Sequence, residues 1–93
     1  MIHARLDYNH IQDPTGKIPE GEPVFLLRAQ DQTAASVVRD WVRRNKQIAG
    51  HDEHAVALAE AHARLMDQWP NKKIADVPKG IDEEEPEPAA PAA

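Results

Sequence analysis

The stretch "DQTAASVVRDWVRRNKQIAGHDEHAVALAEAHARLMDQWP", Asp31 to Pro70, decides the fold. Behind Asp31, whose carboxylate can accept from the free amides of a first helical turn, Ala34, Val38, Trp41, Val42 and Ile48 recur at helical spacing. Gly50 ends that period. A second period starts near Asp52, where Ala55, Ala59, His62, Met66 and Trp69 follow at steps of 4, 3, 4 and 3. Leu58 and Leu65 widen the stripe and Pro70 closes it. Two helices of this length with a short connection predict an antiparallel helical hairpin over residues 31–70. The many alanines of the second helix admit a close neighbour.

Ahead of the hairpin, "IHARLDYNHI" alternates Ile2, Ala4, Leu6 and Tyr8 with His3, Arg5, Asp7 and Asn9, the period of a half-buried strand. "QDPTGK" supplies turn chemistry, and "KIPEGEP" is an irregular loop with poor ladder capacity. "VFLLRA", Val24 to Ala29, is a short apolar run rich in strand formers. The expected fold class is therefore α+β: a short antiparallel β-ribbon, then the antiparallel α-helical hairpin. Residues 1–75 would form one small domain, with the ribbon and a binding loop over 1–30. The tail "VPKGIDEEEPEPAAPAA" offers almost nothing to bury, so residues 76–93 are expected to be a disordered acidic Pro/Ala/Glu tail.

The formal charge of −5 is concentrated in that tail; residues 1–75 carry ten acidic and ten basic side chains. A neutral folded part argues against binding long nucleic acid, which needs a basic excess on one face, but leaves room for a local basic pocket for one small anion. The absence of cysteine excludes a disulfide framework and a thiolate metal cluster. No apolar run approaches the roughly 18–20 residues that span a bilayer, and "MIHARLDYNH" lacks the apolar core of a secretory signal. The expectation is a cytoplasmic protein without a membrane partner. So short a chain encloses little core, and Trp41, Leu58, Leu65 and Trp69 are expected to cover an oligomer interface, most simply with a second copy.

Little here points to a reaction. His51, His54 and His62 do not make the HExxH pattern in which two histidines at i, i+4 face one ion, so no metal is expected. Ser36 is the only serine and has no glycine-rich strained turn around it. The chain is therefore read as a non-enzyme without a cofactor. The N-terminal block differs: His3, Arg5, Tyr8, Asn9 and His10, then Lys17 after Gly16, then Arg28 and Gln30, supply donors, cations and a ring in a short span. A base-bearing phosphate ligand uses such groups for stacking, for charge and for a base edge.

At this block, "YNHIQDPTGKIP" and "EPVFLLRAQD" before a helical pair resemble small uncharacterised proteins of phages and prophages. More loosely, a tyrosine–histidine–proline–lysine stretch before a helical hairpin resembles the phage anti-defence sponges, oligomers that sequester nucleotide second messengers. That resemblance implies Tyr8 as the stacking ring, Lys17 as the phosphate contact and His10 nearby. The expected function is sequestration of a cyclic oligonucleotide or ADP-ribose derivative through Arg5, Tyr8, His10, Lys17 and Arg28. The alternative is a protein–protein inhibitor or adaptor that docks the hairpin on a host protein, with Trp41 and Trp69 as anchors.

Overall fold

Small buried side chains let the two helices of this chain meet closely. The computed structural model describes residues 1–10 and 13–80, in two compact units, Leu27–Ala75 and Met1–Leu26 with the chain from Asp76. The first of these is the hairpin: α1 spans Ala34–Lys46 and α2 spans Glu53–Gln68. Ala34 and Ala63 are fully buried, and Ala35, Val42, Val56 and Met66 nearly so. Leu27, Ala29 and Val38 pack against Ala34, Ala35 and Met66. Arg39 pairs with Asp67, and Lys46 Nζ lies 3.1 Å from Glu60 Oε2. The start of α1 thus meets the end of α2, an antiparallel arrangement.

Local chemistry sets the helix ends. Asp31 accepts from both the backbone amide and the hydroxyl of Thr33, 2.8 Å each, and Thr33 itself is the N-cap of α1. α1 closes at Lys46, and the connection turns at Gly50, whose φ of 85° lies in the left-handed region that glycine occupies without a Cβ clash. Asp52 caps α2 by accepting from Ala55 N at 3.0 Å. Beyond α2 the chain returns to the mouth of α1, where Gln32 N donates to Lys73 O and Lys73 N to Gln30 O. Lys72 Nζ donates to Ala29 O and Met66 O, satisfying one of the last carbonyls of α2.

The N-terminal unit departs from expectation. β1, Ile2–His3, and β2, Pro23–Val24, pair in parallel, Ile2 opposite Pro23 and His3 opposite Val24, so the antiparallel ribbon is not formed. The reason lies between them. Leu6–His10 winds into a 3₁₀ helix instead of continuing the strand, with Tyr8 N bonding Arg5 O at 3.1 Å. A parallel pair needs a long crossover, and this helix and the proline-rich segment after it supply one. Arg5 reinforces the local winding: it donates to both oxygens of Asp7, at 3.0 and 2.5 Å, and its guanidinium lies 4.4 Å from the centroid of the Tyr8 ring. Of the run Val24–Ala29 only Val24 belongs to a strand. Phe25 is exposed, while Leu27 and Ala29 serve the helical core. The expected acidic tail falls mainly on residues 81–93, which lie outside the described residues.

Among the described residues Met66 is the one long buried side chain in a core otherwise made of alanine and valine. Met66→Ala should cost about 2–3 kcal/mol of stability, read by urea denaturation followed by circular dichroism; a loss below about 0.5 kcal/mol would show that α2 does not depend on this contact. Hydrogen bonds from the amides of Ala55 and His54 hold the Asp52 carboxyl below the usual carboxylate range. Its stabilising contribution is present above the unfolded-state value near about 3.9 and is lost as pH falls through the lower folded value. The urea midpoint should therefore drop below about pH 4, and Asp52→Asn should flatten part of that drop.

Candidate functional site

On α1, Arg39, Arg43 and Lys46 stand at i, i+4 and i+7 and share a face. On α2, Glu60 and Arg64 are one turn apart. The antiparallel crossing brings these faces together as a groove of about 400 Å³ lined by Arg39, Val42, Arg43, Lys46, Glu60 and Arg64. Four cations thus face one carboxylate across the helix pair. The rim moderates that surplus: Asp67 pairs with Arg39, and Asp40 pairs with Arg43 and Arg44. These contacts hold the carboxyls of Asp67 and Asp40 below their ordinary range, by hydrogen bonding to Arg39 in one case and to Arg44 and Arg43 in the other.

Pairing does not exhaust the donors. A guanidinium carries five N–H groups, and a carboxylate engages at most two or three of them. Arg64 has no acidic partner among the described residues. An anion with several oxygens can therefore bridge α1 and α2 without displacing every existing pair, since planar guanidinium forks match phosphate oxygens. The groove is open to water, so single contacts are screened and only an anion of more than one charge gains much.

The other face of the hairpin is apolar. Two residues along an α-helix is a turn of about 200°, which carries Arg39 and Arg43 to Val37 and Trp41, and Glu60 and Asp67 to Leu58 and Leu65. Leu27, Val37, Val38, Trp41, Leu58, Ala59 and His62 line an apolar groove of about 510 Å³ there. Trp41, Leu58, Leu65 and Trp69, the expected interface residues, are all about half exposed.

The expected ligand residues of the N-terminal block are placed less favourably. Arg5 is engaged by Asp7 and also donates to Asp76 O at 3.1 Å. The same guanidinium covers a face of the Tyr8 ring, and His3 meets that ring edge-on at 6.3 Å. Tyr8 is half-buried. Lys17 is exposed, Arg28 is exposed and belongs to the helical unit, and the His10 side chain lies outside the described residues. The residue of this unit with an unmet requirement is His3: it is 5% exposed, and among the described residues neither ring nitrogen has a hydrogen-bond partner. Among the described residues no group of three or more His, Asp or Glu stands where it could hold a metal, and no helix is long and apolar enough to cross a membrane.

Reading the sequence by loops missed Arg39, Arg43, Lys46 and Arg64. The signal was present as the i, i+4, i+7 spacing of cations in "RDWVRRNK", but only the crossing of α2 turns a solvated face into a groove. Glu60 is the carboxylate inside that groove, so Glu60→Gln should strengthen sulfate binding about two- to fivefold, measured by isothermal titration; unchanged or weaker binding would show that anions do not enter there. No family model matches the chain, and no curated protein or solved structure shows significant similarity to it.

Proposed function

We propose that this chain is a non-enzymatic binding protein that holds a small phosphate-bearing ligand, of the nucleotide class, in the groove between α1 and α2. The observation that carries the reading is the placement of Arg39, Arg43, Lys46 and Arg64 around one groove of about 400 Å³ in a chain of net charge −5. That volume lies at the lower end of small-molecule sites, and four flexible cations suit two or more phosphates better than one. In the phage-type setting suggested by the N-terminal stretch, such binding amounts to withdrawing a nucleotide signal from solution.

The reading retains the expected ligand class and moves the site. Phosphate recognition rests on the hairpin, where the cations are held by two packed helices, rather than on Arg5, Tyr8 and Lys17. Among the described residues no aromatic ring lines the groove, so selection acts on charge and phosphate spacing more than on the base. Sequestration of this kind tolerates weak base discrimination, because the groove takes its affinity from the phosphates.

The test is titration of the full chain with a cyclic dinucleotide, ADP-ribose and pyrophosphate at low and high salt. Binding should weaken steeply with salt. Arg43→Ala with Arg64→Ala should reduce affinity by about tenfold or more, an amount equivalent to roughly 1.4 kcal/mol, while Lys17→Ala with Tyr8→Phe should leave it within about twofold. The opposite pattern would return the site to the N-terminal block. No binding by any of the three compounds would remove the function.

A further inference from the structure

From the apolar face we infer that the chain self-associates: two copies pair through the side of the hairpin that carries Val37, Trp41, Leu58, Leu65 and Trp69, leaving both basic grooves facing outward. The charge pattern of α2 supports this first. Its four charged residues, Glu53, Glu60, Arg64 and Asp67, fall at i, i+7, i+11 and i+14 and so share one narrow arc. The rest of its circumference carries alanine, valine, leucine, methionine and glutamine, with His54 and His62. The α2 half of the face is thus without Asp, Glu, Lys or Arg, and on the α1 half Arg44, seven residues after Val37, is paired with Asp40; such a face meets its own copy with little like-charge repulsion, whereas selection of a different protein ordinarily uses complementary charge.

Area supports it next. Val37, Trp41, Leu58, Leu65 and Trp69 are 45, 46, 58, 60 and 51% exposed, on the order of 500 Å² of apolar surface at ordinary side-chain sizes. A standard interface takes about 800 Å² from each partner, and the shortfall is within what neighbouring alanines, His62 and Leu27 supply. Ala57 and Ala61, on the exposed side of α2, let a partner backbone approach closely. The hairpin's own core also calls for such help: among the described residues no large side chain is fully buried. Burying the tryptophans and leucines against a second copy supplies what one chain cannot enclose.

The prediction is read by light scattering coupled to gel filtration on the full chain, at about 0.1 and about 1 M salt. At about 100 μM the mass should be twice 10.4 kDa in both, because apolar contacts do not screen. Leu58→Glu with Leu65→Glu should run at the single-chain mass with unchanged helix content and unchanged anion binding. A second reading needs no mutation. Trp41 and Trp69 are the only tryptophans, so dilution through the association range should shift their emission to the red, in step with the loss of mass. A single-chain mass at about 100 μM, a dimer that survives both glutamates, a dimer that dissociates in high salt, or an emission spectrum indifferent to dilution would each overturn the inference. A dimer that persists when Arg43→Ala and Arg64→Ala abolish anion binding leaves it standing while the proposed function is tested separately.

Discussion

The close packing of α1 on α2, in which Ala34 of one helix and Ala63 of the other are buried and Ala34 and Ala35 cluster with Met66, is the constraint on which the helical unit depends. Ala34 and Ala63 are fully buried, and neither occupies volume enough to hold the helices apart. Interaxial distance in helix pairs follows the side chains at the contact. Small buried residues thus bring Arg39 within reach of Asp67 and Lys46 within reach of Glu60. Those pairs are exposed and contribute little to stability. Their use is geometric, since they line up two rows of charge across a common groove.

The same contact divides the hairpin into two dissimilar sides. Side chains two positions apart on either helix look in nearly opposite directions, so the charge rows on one side imply Trp41, Leu58, Leu65 and Trp69 on the other. Polar chemistry and apolar surface are thereby separated by the thickness of one helix pair. A ligand held on the charged side and a protein surface held on the apolar side do not compete for the same atoms. This separation gives a chain of 93 residues two dissimilar surfaces on one helix pair without enclosing a large core.

The N-terminal unit follows a different logic, in which short-range pairing outweighs strand formation. Arg5 satisfies Asp7 at a separation of two residues and covers Tyr8 at three. An extended strand would point Arg5 and Tyr8 to opposite faces of the sheet, so the compact 3₁₀ winding keeps a contact that the strand forfeits. His3 is carried inside by its place in β1 and leaves a buried imidazole without a partner among the described residues, a cost of about 1–3 kcal/mol when nothing answers it. It is the residue whose burial the alternating pattern did not foresee, because the alternation assigned it to the solvent side.

The sequence by itself determined the hairpin. Its apolar spacing, the cap at Asp52, the turn at Gly50 and the stop at Pro70 are local signals, each decided within a few residues, and the helices lie within a few residues of where those signals put them. It also marked Trp41, Leu58, Leu65 and Trp69 as surplus to one small core, since that follows from counting apolar residues against available depth. The direction of the β pairing and the position of the cationic groove were decided only by the tertiary structure. A two-residue strand pair has too little alternation to specify its direction, and the crossover between the strands sets it instead. Arg39, Arg43 and Lys46 belong to one helix and Arg64 to another, and only the antiparallel packing of the two puts them around the same space.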